Sequence, residues 1–276
     1  VEDPNVFAVG VWQSGHSSAL KAGEYVFPPG VTPRQAMEII RAGRIVEHRL
    51  TIPEGVTSAD IGRLLESAEA LAGDMAEIPP EGALLPETYI YRRGDSRTDL
   101  IHRMEAGMHR LMAELWPNRA ENLPFDTPEQ ALVLASIVEK ETGVPEEREQ
   151  VASVFVNRLN QGMRLQTDPT VIYGITNGQG VLGRGLRRSE LRKETPFNTY
   201  VIDALPPTPI ANPGRASLMA AAQPASEDYV FFVADGTGGH AFAETLEEHN
   251  ANVARWRQIE AERGAEAAGN ASTGGN

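Results

Sequence analysis

At 276 residues, 41% hydrophobic and 23% charged, the chain has an ordinary globular composition and room for one large domain or two of common size. Its net charge of −13, with only Lys21, Lys140 and Lys193 as lysines and no basic run or basic-aromatic stripe, argues against nucleic acid as a partner. The absence of cysteine excludes disulfides, thiol nucleophiles and cysteine metal sites, and no apolar run is long enough to cross a bilayer.

Residues 1–16 read as an N-terminal segment with a candidate strand at Val6–Trp12. An internal echo follows. Tyr25-Val-Phe-Pro-Pro-Gly30-Val-Thr32 is matched by Leu50-Thr-Ile-Pro-Glu-Gly55-Val-Thr57, and each copy runs into an amphipathic stretch, Pro33–Arg41 and Ser58–Ser67. Each copy predicts strand, glycine turn, threonine cap and helix. Two copies are too few for a solenoid, so residues 17–78 are expected to form a small α+β lobe. Glu77–Gly82 reads as a linker or loop, and Leu84–Tyr91 as a short extended run. Thr98–Leu115 is an amphipathic helix with Leu100, Ile101, Met104, Met108, Leu111 and Met112 on its apolar side. Trp116-Pro117 stops it.

Thr127-Pro128-Glu129-Gln130 then combines an N-cap, a proline at the first helical position and the glutamine of a capping box. The helix that follows, Ala131–Thr142, is apolar around too much of its wheel for a surface helix and belongs in the core. Glu139 comes directly after Ile137 and Val138. A carboxyl at the end of a buried helix is costly to ionise, which suits a general acid; an ion pair with an arginine is the competing reading. Glu146–Gln161 is a second helix, with acids in its first turn and Gly162 past its end. Residues 163–228 show little periodicity, and so long an irregular stretch is expected where it builds a site. Tyr229–Ala234 and His240–Glu244 read as a hairpin, Thr245–Glu248 as a capping box opening a helix to about Arg263, and residues 264–276 as a disordered tail.

Gly178-Gln-Gly-Val-Leu-Gly183 fits the dinucleotide spacing but follows no clear strand and opens no clear helix, so it is rejected. The six histidines show no HExxH-type spacing, and no carboxylate cluster looks like a metal cage, so neither metal nor cofactor is expected. Ser136 lacks the flanking glycines of a nucleophile elbow. Gly162–Gly174 gathers amide, hydroxyl, carboxylate and phenol groups, and Pro196–Tyr200 and Leu205–Gly214 add more. A set of that kind suits a sugar, with an elaborate structural loop as the alternative.

Ala135-Ser-Ile-Val-Glu139-Lys-Glu-Thr142, Val151–Arg158, Met163–Gly174, Asn198-Thr-Tyr200, Tyr229–Gly236 and Gly239-His240 resemble, in order and spacing, the MltG-type (YceG-like) endolytic murein transglycosylases. Lys21–Tyr25 and Leu85–Tyr89 are similar too. The resemblance implies a small LysM-like N-terminal lobe at 17–78 and a larger mixed α+β catalytic domain at 79–263. It also implies an inner-membrane anchor upstream of Val1, work on the periplasmic face, and proximity to peptidoglycan synthases.

The implied reaction is a lyase step in cell-wall peptidoglycan, between N-acetylmuramic acid and N-acetylglucosamine. The family's catalytic glutamate falls on Glu139. Protonated, it would serve the leaving oxygen; ionised, it would take the proton of the muramic C6 hydroxyl, leaving a 1,6-anhydro end. Glu141, about 200° away around the helix, is expected in a supporting or ion-pair role. Glu141, Asn157, Gln166, Asp168, Thr170, Tyr173, Asn198 and Tyr200 are the candidate residues for holding sugars or orienting Glu139. Two other readings stand beside this one: a muramidase using Glu139 and Asp168 as paired carboxylates, and a non-catalytic glycan-binding module.

Overall fold

The threonine-proline start signals of the sequence are realised as helix caps. The computed structural model describes residues 9, 11–13, 20–75 and 77–273. In chain order the elements are α1 (Pro33–Ala42), β1 (His48–Thr51), α2 (Ser58–Ser67), β2 (Thr88–Tyr91), α3 (Arg97–Leu115), α4 (Pro128–Glu141), α5 (Arg148–Asn160), α6 (Asp168–Thr176), α7 (Arg215–Ala222), β3 (Phe231–Ala234), β4 (His240–Ala243) and α8 (Leu246–Thr273). Thr32 with Gln35 and Thr127 with Gln130 close reciprocal capping boxes on α1 and α4. Thr57 pairs with Asp60 at α2, and Thr245 with Glu248 at α8. The fold class is mixed α+β. Of the candidate strand at Val6–Trp12, residues 9, 11 and 12 are described, and they are helical; the rest lies outside the described residues.

The chain divides into two compact units, one of Val1–Ile52, Arg63–Glu77 and Thr88–Arg103, the other of Pro53–Gly62, Ile78–Glu87 and Met104–Asn276. In the first, β1 and β2 pair antiparallel with His48 opposite Tyr91 and Thr51 opposite Thr88. Period-2 alternation buries Tyr89 and Tyr91 and exposes Thr88 and Ile90. Glu24 bridges His48 at 2.7 Å and Arg93 at 3.0 Å. The hydrogen bond from Arg93, then that from His48, holds the Glu24 carboxyl below the usual carboxylate range.

Among the described residues of 17–78 no distinct LysM-like lobe is discernible. The first copy of the echo makes no strand: Tyr25–Phe27 is irregular, and the Tyr25 hydroxyl donates to the Lys21 and Ile40 carbonyls. Pro28 and Pro29 have no N–H to give a sheet ladder. β1, from the second copy, pairs with β2 rather than with the first copy. The rest of the second copy, Pro53–Gly62, belongs to the other unit.

In that second unit α4 is the central element. Ala131 and Val133–Val138 are buried along it, and α5 and α7 pack against it. Leu134, Ile137, Phe155 and Leu165 are among the most completely enclosed side chains of this core. Each such aliphatic or aromatic side chain contributes about 1.5–3 kcal/mol on burial. Two helices occur inside the stretch that lacked periodicity. α6 starts with Asp168 and Pro169, and α7 is the alanine-rich Arg-Ala-Ser-Leu-Met-Ala-Ala-Ala. Both are shorter than three turns, so a 3.6-residue repeat has too few cycles to register. The hairpin forms as expected, with Phe231 opposite Ala243 and Ala234 opposite His240. The final helix runs past Arg263 to Thr273, in keeping with the alanines at 265, 267, 268 and 271; the last three residues of the expected tail lie outside the described residues.

Candidate active site

The last turn of α4 brings two carboxyl groups out of the core on different sides, as a separation of two residues requires. Glu139 is closed in, its side chain 6% exposed. Its Oε2 accepts the Gly214 backbone N–H at 2.9 Å, and its Oε1 lies 4.0 Å from Arg148 Nη2. On its flank is the Pro53-Glu54-Gly55 turn. Gly55 has φ +73°, and a Cβ there would lie 3.2 Å from Glu139 Cγ, so both backbone and space call for glycine. Lys140 Nζ donates to the Gly55 carbonyl at 3.1 Å.

The turn is held by a clasp centred on Asn212, which is fully buried. Gly55 N–H donates to the Asn212 carbonyl at 2.9 Å, and Asn212 N–H to the Val56 carbonyl at 3.0 Å. The Asn212 side-chain amide reaches the Val56 carbonyl and Ser58 Oγ, both at 3.2 Å, while its Oδ1 accepts from Leu84 N–H at 3.1 Å. The Thr57 hydroxyl donates to the Gly178 carbonyl at 2.7 Å. Glu81, which accepts the Ser58 N–H at 2.8 Å, has its carboxyl pushed upward by burial.

Through this clasp Glu54 comes beside Glu139. Glu54 Oε2 lies 3.8 Å from Arg148 Nη2, the same nitrogen that faces Glu139. Its carboxyl fills the space a side chain at Gly214 would need, since a Cβ there would fall 1.8 Å from Glu54 Oε1. Burial, then the charge of Glu139, pushes the Glu54 carboxyl upward against the pull of Arg148. The Glu54 side chain is 44% exposed against 11% for Arg148.

On the other side of α4, Glu141 accepts a short hydrogen bond from the Thr167 hydroxyl. Thr167, Thr170 and Thr199 are buried. The Thr170 and Thr199 hydroxyls are 2.8 Å apart, and that of Thr170 donates to the Thr167 carbonyl at 2.8 Å. Burial pushes the Glu141 carboxyl upward, opposed by the Thr167 hydrogen bond. Asp168, its neighbour in charge, accepts the Tyr200 hydroxyl at 2.6 Å. Burial and that hydrogen bond push the Tyr200 phenol upward, so it is a neutral donor. Arg158 sends its guanidinium to the carbonyls of Val230, Arg164 and Leu165, with Gln166 Oε1 at 3.5 Å. Gln166 itself is exposed at φ +54°, its N–H on the Thr199 carbonyl.

Of the residues singled out in the sequence, Gln166, Asp168, Thr170 and Tyr200 thus gather on the Glu141 side. Asp168 has its hydrogen-bond and charge partners there, not with Glu139. Asn157 donates to the Glu227 and Tyr229 carbonyls, and buried Asn198 donates to those of Glu190 and Lys193, so both spend their amides on backbone. Tyr173 packs against Phe197 at 5.0 Å between ring centroids, and burial pushes its phenol up to about 12. Glu54 and Arg148 were not singled out, and Asn212 and Gly214 were noted only within the polar run Leu205–Gly214. One signal was present: the second copy of the echo carries Glu54 where the first carries Pro29.

Among the described residues no group of three or more His, Asp or Glu side chains is arranged to hold a metal, and no helix is long and apolar enough to cross a membrane. A cavity of about 1040 Å³ lies elsewhere, along the N-terminal half of α4, lined by Met108, Met112, Trp116, Leu132, Pro206 and Pro207.

The chain is 34% identical over 177 residues to an endolytic murein transglycosylase of Bacillus subtilis, covering 62% of this chain and 46% of that protein. It is 33% identical over 181 residues to one of Streptococcus pneumoniae, covering 63% and 32%. The chain therefore spans less than half the length of either relative. A crystal structure of a YceG-like protein from Listeria monocytogenes superimposes with a TM-score of 0.60 at 30% identity, covering 90% of each chain. The sequence model of the YceG-like family matches residues 1–255, and with nearly its whole length accounted for, this chain belongs to the YceG-like family.

Proposed function

We propose that this chain cleaves peptidoglycan strands internally, breaking the bond between N-acetylmuramic acid and N-acetylglucosamine without water and leaving 1,6-anhydro ends. The observation that carries the reading is the seat of Glu139: a carboxyl group closed in at the end of a core helix, one oxygen held by a backbone amide and the other facing a loosely placed guanidinium. Such enclosure strengthens every charge interaction with a bound sugar. The names carried by the Bacillus and Streptococcus relatives support the substrate class. The polymer lies outside the cytoplasmic membrane, so the proposal includes action on its outer face.

In the proposed step the C1–O bond to the leaving sugar breaks, and the leaving oxygen takes a proton from the site. The C6 hydroxyl of the muramic residue closes on C1 and gives up its own proton to the site. The proton count is unchanged, and no water enters. Asp168 is poorly suited to a muramidase pairing with Glu139, because its partners are Tyr200 and Glu141.

The test is mass analysis of digested sacculi. The unaltered chain should release fragments one water lighter than hydrolysis would give. Glu139→Gln should lower their release by about 100-fold or more, the usual scale of a lost acid–base group. Reducing ends in place of anhydro ends would overturn the lyase reading, and full turnover by Glu139→Gln would remove Glu139 from it.

A further inference from the structure

Building on the reading just given, we infer that Glu54 is the proton donor of the reaction and Glu139 its proton acceptor, so that the two carboxyl groups divide the work across Arg148.

The two groups converge on the same small space. Both face Arg148 Nη2, at 3.8 and 4.0 Å, and both reach Gly214, Glu139 through the backbone N–H and Glu54 through the volume where a side chain would be. Neither carboxylate is within hydrogen-bonding distance of the guanidinium, so the pairing leaves room for change at each oxygen. The two carboxyl groups therefore face one fixed cation between them, so a change of charge on either is felt by the other.

Their surroundings differ in a way that assigns the proton. Glu139 Oε2 accepts an amide N–H, which suits that group to an acceptor's role. Among the described residues Glu54 accepts no hydrogen bond, and its ionisation is opposed by burial and by the charge of Glu139. Lys140, the other cation at this turn, is committed to the Gly55 carbonyl. Glu54 is also the more open of the two, at 44% against 6% exposed, as a group that must meet the leaving oxygen should be.

The step balances within the pair. The glycosidic C1–O bond breaks and the leaving oxygen takes the proton of Glu54. The C6 oxygen bonds to C1, and its proton passes to Glu139. One proton resides on the pair before and after, and its return from Glu139 to Glu54 resets the site.

Gly214 offers an independent handle. Its φ of −77° suits any residue, so Gly214→Ala introduces no backbone strain there and collides with the end of the Glu54 side chain while retaining the amide that Glu139 uses.

The experiment compares Glu54→Gln, Gly214→Ala and Glu139→Gln on glycan strands and on a nitrophenyl glycoside of N-acetylmuramic acid, whose leaving group needs no proton. Melting temperatures confirm that each variant is folded. On strands Glu54→Gln should lose about 100-fold in kcat with KM within about twofold, and Gly214→Ala about 10-fold. On the nitrophenyl substrate both should come within about threefold of the unaltered chain, while Glu139→Gln stays lowered by about 100-fold or more on both substrates. Equal losses for Glu54→Gln on the two substrates, or full activity on strands, would overturn the inference. Failure of the unaltered chain to form anhydro products would instead overturn the proposed reaction itself.

Discussion

Glu141 is a carboxyl group with no cation within ion-pairing distance among the described residues, and its burial raises the pH at which it ionises. Its expected ion-pair role is therefore replaced by a hydrogen bond from Thr167. The consequence for stability has a definite sign. Between the unfolded value near 4.5 and the raised folded value, the native chain keeps a proton that the unfolded chain releases. The contribution is complete below about pH 4.5 and is lost as pH rises through the folded value. Glu141→Gln, which keeps an acceptor for the Thr167 hydroxyl, should flatten this decline, as measured by urea unfolding at several pH values. Thr167→Val should cost about 1–3 kcal/mol by leaving that carboxyl without its donor.

At the scale of elements, the clasp between Pro53–Gly62 and Asn212 carries the arrangement of the site. Asn212→Ala removes an acceptor from the buried Leu84 N–H and a donor from Ser58 and Val56. A loss of about 2–3 kcal/mol is expected, with a lower urea midpoint. The contrast between what was readable in sequence and what was not follows from the range of the forces. Capping boxes at Thr32 and Thr127 are settled by residues three apart, and the core of α4 by its own composition, so those could be read directly. The chain separation of Asn212 from Val56, or of Glu54 from Gly214, leaves no periodic trace. Glu139 was readable as an enclosed carboxyl because Ile137 and Val138 lead directly into it; Glu54 sits in a polar turn and became visible only once the turn was seen beside α4. The candidate sugar-binding run Gly162–Gly174 was legible as an unusual polar cluster, yet much of its polarity serves buried hydroxyl contacts of Thr167 and Thr170 with Thr199.

For the whole molecule, the net charge of −13 sets a background against which local pairs are small. Exposed ion pairs such as Arg34–Glu38 contribute about 0–1 kcal/mol each. Self-repulsion of a chain this acidic acts over a screening length of about 30 Å at 0.01 M salt and about 8 Å at 0.15 M. Raising salt across that range should therefore increase the melting temperature, as calorimetry would record. A decrease would mean that ion pairs such as Glu24 with Arg93 and His48 outweigh the overall repulsion.

The chain leaves one unit and rejoins it, so that the ten residues Pro53–Gly62 belong with Met104–Asn276 while the residues on either side do not. Heredity cannot then treat the N-terminal part as a detachable cassette. A crossover between residues 63 and 79 that exchanged everything upstream would import a foreign partner for Asn212 and a foreign neighbour for Gly214. Viable hybrids should carry the Pro-Glu-Gly turn and the Asn212-Pro213-Gly214 segment from the same parent.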